Sequence, residues 1–527
     1  MKLTEIKKEI APQWAEKGYQ LPGFDIEAVR ARTYEQPTWV HFGAGNLFRA
    51  FPAAVLQQVL DTGKYDRGVI VVEGFDFEII DKVYTPYENL SLLVCLQSDG
   101  NIRKKVIASV AESLKADMRF TRDWARLSDI FRNPGLQMLS FTITEKGYKV
   151  APADLERGLE PAMIMGKVTL LLYERFLAGA LPLTLQSMDN CSHNGDRVRE
   201  AVLAYASRWA EDGLVPGEFP AYVQDPAKVT YPWSMIDKIT PRPDEKVQKM
   251  LAEDGFEDNS PILTEKRTYT APFVNAEETE YLVIEDTYSN GRPPLELGGV
   301  LYVDRETVDK VERMKVCTCL NPLHTAMSVY GCLLGYDLIS EEMKDEDIRG
   351  LITKLGYMEA MPVVVDPGVL RPADFIDAVL TRRLPNPFMP DAPQRIATDT
   401  SQKLPIRFGE TIKAYGERGL NMDDLVLLPL VLAGYGRYLK GIDDEGRIFE
   451  PSPDPLLEEL RAIVAPLEVR EGQQDFSCLR TLYSRRDVFG VDLYESGLGG
   501  RIEKMTAELY AGVGAVRRTL HRYVSAR

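Results

Sequence analysis

Hydrophobic positions along the chain follow two different periods. Up to about residue 300, short β-branched and aromatic runs alternate with segments of helical period. Thr38–Phe42, Gly68–Glu73, Gln137–Thr142 and Leu183–Ser187 have the apolar density of strands buried in a sheet. Between them, Asn46–Leu60 sets Phe48, Phe51, Val55 and Val59 on one helical face. Leu159–Leu177 and Asp196–Asp212 also have helical patterns. Strands alternating with helices predict a parallel, doubly wound α/β sheet of Rossmann type.

Beyond about residue 300 the strand signal fades. Arg305–Leu320, Leu323–Leu334, Ser340–Leu355, Pro372–Arg383, Gly409–Arg418, Leu425–Leu439, Pro455–Ala465 and Ile502–Ser525 are all predicted helical. The link Tyr288–Gly299, rich in Gly and Pro, marks the change. The expectation is a Rossmann-type dinucleotide domain over residues 1–299 and an all-α substrate domain over 300–527. No internal repeat or low-complexity segment interrupts this pattern.

Composition narrows the class. The 527 residues are enough for two or more cores, and 45% hydrophobic with 27% charged residues fits a globular protein. A net charge of −16 opposes phosphate backbones and anionic lipids, so neither nucleic acid nor a membrane surface is expected as partner. An anionic substrate would need a local basic pocket set against that field. The apolar run Leu425–Ala433 is broken by Pro429 and too short to span a bilayer. Met1–Trp14 is mixed-charge and amphipathic, without the apolar core of a signal peptide. Six cysteines in so long a chain do not form a disulfide framework; Cys317 and Cys319 have no second pair and no nearby histidine to complete a zinc pattern. A cytoplasmic compartment is expected; the pattern leaves the oligomeric state open.

His41–Arg49, HFGAGNLFR, follows a predicted strand and opens a helix. Gly43 would allow a tight turn, and Gly45 would let backbone approach a pyrophosphate. Phe48 stands where the usual third glycine would be. The next strand ends at Glu73, where an acid binds the ribose hydroxyls of NAD; Asp76 is the alternative. No arginine follows in Gly74–Ile80 to take a 2′-phosphate, so NADH is expected over NADPH. A methyltransferase with a similar turn would usually carry an acid just before the glycines; here stands Trp39-Val40-His41.

Hydride transfer to a ketone needs a group that polarises the oxygen and gives it a proton. With four histidines, no HExxH and no His/Cys cluster, no metal site is expected. No tyrosine has a lysine four residues on. What remains is a buried lysine with amide donors on the oxygen. Val311–Thr325, VERMKVCTCLNPLHT, sets Glu312, Lys315, Asn321 and His324 in apolar surroundings. Singly, each has a structural reading too: a snorkelling lysine, an N-cap asparagine before Pro322, a core histidine.

Further segments join these. Ser140–Tyr148 is SFTITEKGY, Asp189–Gly195 is DNCSHNG, Tyr231–Pro241 is YPWSMIDKITP, and Arg395–Pro405 is RIATDTSQKLP. In this order, and with the glycine turn, they span roughly residues 38 to 440. Together they resemble the polyol-specific long-chain dehydrogenases, the mannitol dehydrogenase family, and within it members acting on hexuronates. The resemblance implies NAD-dependent interconversion of a keto-uronate (fructuronate) and a sugar acid (mannonate), with mannitol 2-dehydrogenation and tagaturonate reduction as alternatives. A non-catalytic NAD-binding regulator is a distant one. It implies Lys315 as general acid/base, Asn190 and Asn321 as amide donors to the reacting oxygen, and His324 as substrate-orienting. Glu312 would lie on the proton path. Asp237, Arg395 and Lys403 would meet substrate, and Gly43, Gly45, Phe48, Arg49 and Glu145 would serve the cofactor beside Glu73 or Asp76. In that family the lysine stands five residues before the asparagine. Here the separation is six, so a π-bulge or kink near Thr318–Leu320 is predicted to restore the register.

Overall fold

The computed structural model describes residues 1–6 and 11–526. The amphipathic stretch expected over Met1–Trp14 therefore falls partly, at residues 7–10, outside the described residues; the helix Ala11–Glu16 buries Trp14. The chain divides into two compact units, Met1–Asp309 without residues 98–100, and Lys310–Arg527 with them.

The first unit is built on a six-stranded parallel sheet. In chain order its strands are β1 (Trp39–Phe42), β2 (Val69–Glu73), β3 (Val110–Lys115), β4 (Met138–Phe141), β5 (Leu183–Ser187) and β6 (Val229–Thr230). Their spatial order is β3-β2-β1-β4-β5-β6, the doubly wound dinucleotide-binding order. Alternation within β1 and β2 divides two cores. Val40, Phe42, Ile70 and Val72 pack with residues of the helices Thr121–Arg132, Ile164–Leu177 and Asn194–Glu211. Trp39, Val69 and Val71 pack on the other face with Val55, Leu56 and Val59. Burial on both faces explains why these strands are continuous apolar runs. The strands β3 and β6 escape the sequence pattern because one is a half-polar edge and the other has two residues.

Three smaller sheets, absent from the expectation of one doubly wound sheet, complete the unit. Ser91–Leu96 pairs antiparallel with Ile102–Ile107 and parallel with Phe273–Glu277. Tyr281–Glu285 lies between Ser234–Asp237 and Leu301–Val303. Ile262–Leu263 and Tyr269–Thr270 form a short hairpin.

The predicted helix Asn46–Leu60 is two helices, Asn46–Ala50 and Pro52–Asp61, broken at Phe51. Pro52 lacks the amide that would continue the ladder and disfavours helical backbone at Phe51, whose ψ is −72° at φ −129°.

The second unit is helical. The helix Leu427–Tyr438 is buried along all 12 of its residues, and Asn321–Leu334 packs against it. Several helices expected to be continuous are interrupted. Arg305–Leu320 ends as a helix at Met314 and continues as a π turn, Lys315–Cys319. Further π turns lie at Leu355–Ala360, Val379–Arg383 and Pro405–Gly409. Ile502–Ser525 is split where Gly512 and Gly514 take φ of 90° and 75°. Among the described residues no helix is long and apolar enough to cross a membrane.

Candidate functional site

The glycine turn leaves β1 at Gly43, whose φ is 107° and whose amide donates to Val72 at 2.9 Å. A Cβ there would stand 2.1 Å from the Thr142 carbonyl oxygen, so only glycine fits. A Cβ at Gly45 would meet nothing within 4 Å. Open backbone directly after a close-packed turn, at the carboxyl end of β1, fits a cradle for a dinucleotide.

Beneath the turn runs a hydrogen-bond chain. Trp39 Nε1 donates to Ser140 Oγ at 2.7 Å, and that hydroxyl lies 2.6 Å from His41 Nδ1. His41 Nε2 is 2.9 Å from Thr142 Oγ1, which donates to the Gly43 carbonyl at 3.3 Å. Because the Thr142 proton goes to Gly43, Nε2 of His41 is the donor and Nδ1 the acceptor, an assignment from the network. Burial pushes the His41 pKa down to about 3, so the ring is neutral.

Phe48 and Arg49 both point inward. The Phe48 ring stacks on His41 at 4.2 Å. Arg49 donates to the Ala271 carbonyl at 2.7 Å and to Asn46 Oδ1 and Thr270 Oγ1 at 2.8 Å. Both residues brace the turn from within. Glu73, 7% exposed, accepts from the amides of Ala44 at 3.0 Å, Phe75 at 2.8 Å and Asp76 at 3.1 Å. Burial raises its pKa and the three amides oppose the rise. Asp76 accepts from the Thr264 and Thr268 hydroxyls, each at 2.6 Å.

The other segments of this unit that carry the resemblance bind one another. Asp189, after β5, accepts from the amides of Ile143 at 2.9 Å and Thr144 at 3.0 Å and from the Tyr148 hydroxyl at 2.5 Å. Asn194 donates to the Asp189 carbonyl at 3.0 Å and to Ser234 Oγ at 2.9 Å, and accepts from the Ser234 amide at 2.9 Å. A Cβ at Gly195 would lie 2.4 Å from the Tyr231 carbonyl oxygen. These contacts hold Asn190, exposed beyond the end of β5, on a rigid base. Asp237 is buried at the end of its strand. Glu145 is exposed and pairs with Arg197 at 3.0 Å. Sequence reasoning missed His41, Tyr148, Asp189, Thr264 and Thr268 as organisers of this unit. The available signal for the first was a histidine in the middle of an apolar strand.

In the second unit Lys315 is 4% exposed and opens the π turn. The Leu320 amide reaches back five residues to the Lys315 carbonyl at 3.1 Å. The next helix starts at Asn321 with Pro322 inside its first turn, and His324 follows. Glu312 lies in the last turn before Lys315 and is half-buried. Arg407, from the π turn that packs against that of Lys315, donates to Thr325 Oγ1 at 2.6 Å and to the Asn321 carbonyl at 3.4 Å. Burial lowers its pKa to about 10, which leaves it cationic at neutral pH. Lys403 donates to the carbonyls of Ile396 at 3.0 Å and of Thr398, and burial lowers its pKa with help from the Arg407 cation. Arg395 is 66% exposed and ion-paired with Asp391. Among the described residues no group of three or more His, Cys, Asp or Glu is arranged to hold a metal ion. All six cysteines are free thiols, and burial pushes Cys319 up to about 12.

Comparison with known proteins places this geometry in a family. Residues 37–297 match the mannitol dehydrogenase Rossmann domain, and residues 307–509 the mannitol dehydrogenase C-terminal domain. The D-mannonate oxidoreductase of Thermotoga maritima is 50% identical over 525 residues, 97% of each chain. The polyol:NADP oxidoreductase of Gluconobacter oxydans is 29% identical over 82% of this chain and 85% of its own. The crystal structure of D-sorbitol dehydrogenase in substrate-free form superposes with a TM-score of 0.78 at 25% identity, covering 95% of this chain and 97% of that one. The Pseudomonas fluorescens mannitol 2-dehydrogenase shares the fold, with a TM-score of 0.69 at 24% identity over 99% of this chain and 100% of that one. The two family domains, in order and together covering most of the sequence, establish that this chain belongs to the mannitol dehydrogenase family.

Proposed function

We propose that this protein is a cytoplasmic NAD-dependent dehydrogenase that interconverts a keto-uronate, fructuronate, and the sugar acid mannonate. The observation that carries the reading is Lys315, buried at the start of a π turn that leads directly into Asn321 and His324. The identity to a D-mannonate oxidoreductase supports the substrate class. The doubly wound strand order and the Gly43–Gly45 turn support the cofactor, with residues 1–299 as its domain and 300–527 as the substrate domain. Six free thiols suit a reducing compartment.

NAD supplies the hydride acceptor for oxidation and, reduced, the donor for reduction. In reduction the Lys315 ammonium gives its proton to the ketone oxygen as charge develops there; in oxidation the neutral amine takes the hydroxyl proton back. Asn321 and Asn190 donate amide hydrogens to that oxygen and lower the energy of its alkoxide character. His324 orients the substrate, and Glu312 passes the Lys315 proton outward. Asp237, Arg395 and Lys403 meet the remaining substrate groups, and Glu145 belongs to the cofactor side. The test is oxidation of NADH with fructuronate, tagaturonate and fructose at equal concentration. Fructuronate should turn over fastest; a faster rate with fructose would replace the sugar-acid reading by a mannitol one.

A further inference from the structure

The loop after β2 is where a Rossmann domain decides between a free ribose 2′-hydroxyl and a 2′-phosphate. The stretch Gly74–Ile80 itself contains no cation, and the acids Glu73 and Asp76 disfavour a phosphate. The fold changes this balance. The turn of the Ile262–Thr270 hairpin is tied to the loop at four points. Thr264 and Thr268 donate to Asp76 at 2.6 Å, the Glu265 amide donates to Glu78 Oε2 at 2.8 Å, and Lys266 Nζ donates to the Phe75 carbonyl at 2.6 Å. The turn is rigid in itself: the Thr268 amide donates to Thr264 Oγ1 at 3.0 Å, and Arg267 takes φ 65°.

Lys266 thus stands two residues beyond Glu73, on the carbonyl of the residue whose amide binds the Glu73 carboxylate. Its ammonium lies 3.7 Å from the centre of the Phe75 ring, and Phe75 is 66% exposed. Three other cations at this loop are already neutralised, while Arg267, next along the turn, is exposed. Lys82 pairs with Glu78 at 3.0 Å, Lys115 with Asp81 at 2.6 Å, and Lys167 with Asp117 at 3.1 Å. Lys266 has no carboxylate partner among the described residues.

We propose that Lys266 is a cofactor-specificity residue: it presents a positive charge to a 2′-phosphate and lets this chain bind NADPH alongside NADH. Thr264 and Thr268 are positioning residues that hold the hairpin, and with it Lys266, against the loop. The proposal rests on the dinucleotide reading of the first unit. It limits the NADH preference that the two acids impose, because one screened cation now offsets them.

The experiment is calorimetric binding of NADH and NADPH, and of ADP against 2′-phospho-ADP-ribose, to wild type, Lys266→Ala and Thr264→Val/Thr268→Val. Lys266→Ala should weaken NADPH and 2′-phospho-ADP-ribose about three- to tenfold, the range for an exposed charge-assisted contact, and leave NADH and ADP within about twofold. The NADPH affinity of wild type should also fall more steeply with salt than that of the variant. The threonine variant should lose the same discrimination and melt lower than wild type, because buried Asp76 loses two hydrogen bonds. A ratio of NADPH to NADH affinity unchanged by Lys266→Ala overturns the proposal. Absence of binding by both dinucleotides in wild type overturns the dinucleotide reading instead.

Discussion

The amide of Leu320 donates to the carbonyl oxygen of Lys315, five residues back, at 3.1 Å. A π turn takes in one residue more than an α-helical turn, so it alters the rotation between Lys315 and Asn321 that an ordinary helix would impose. Deleting Cys317 should therefore convert the turn to ordinary helix and leave the lysine in register with the asparagine. The expected result is a folded enzyme whose kcat stays within about tenfold of wild type. A loss as large as that of Lys315→Ala would mean the π turn is itself required.

Lys315→Ala should lower kcat by about 10²–10⁴-fold while the affinity for NADH, measured by fluorescence, stays unchanged. Prolonged chelation of wild type should leave activity intact. Activity that falls on chelation and returns with zinc would sink the lysine mechanism.

Arg395 and Arg407 should behave differently. Arg395 is exposed and already paired with Asp391, so its replacement by alanine should narrow the preference for a keto-uronate over a neutral ketose by only about threefold. Arg407 holds the Asn321 carbonyl and the Thr325 hydroxyl. Arg407→Gln should lower kcat on both substrates alike, with partial rescue in Arg407→Lys. Steady-state kinetics on the two substrates decide this; a selective loss on the keto-uronate in Arg407→Gln would make Arg407 the carboxylate-binding residue.

His41 sets a pH dependence of stability. Its folded pKa, about 3, lies below the ordinary value near 6.5, so the unfolded chain binds the proton more readily. Its contribution is fully present above about pH 6.5 and is lost progressively as pH falls towards 3. Glu73 and Asp189, raised by burial, act in the opposite sense over the acidic range. Comparing variants isolates the histidine. The melting temperature of wild type should fall more steeply between pH 7 and 5 than that of His41→Gln. Parallel curves would show that the imidazole is not the titrating group.

Much of the fold was legible because it depends on local period. The strands β1, β2, β4 and β5 are buried on both faces and leave unbroken apolar runs; helices leave a stripe. The breaks were less visible. Pro52 was present in the sequence, yet the apolar face running through Phe48, Phe51 and Val55 outweighed it in the pattern. Gly512 and Gly514 likewise stop a helix only through their backbone angles, which composition does not encode. The π turn at Lys315 was foreseeable, since a one-residue excess in a helical run has few places to go.

What the sequence determined by itself is the set of chemical groups: a glycine turn after a strand, acids beyond the next one, and a lysine, asparagine and histidine in one helical run. Their spacing follows from local geometry, and local geometry is written in the chain order. What only the tertiary structure decided is which distant groups stand beside them. His41 on the Ser140 and Thr142 hydroxyls, Asp189 on the amides of Ile143 and Thr144, Lys266 on Phe75 and Arg407 on Asn321 all join segments that chain order separates. Such pairings arise from sheet order and helix packing. Those depend on the sum of many weak apolar contacts, so no single motif announces them.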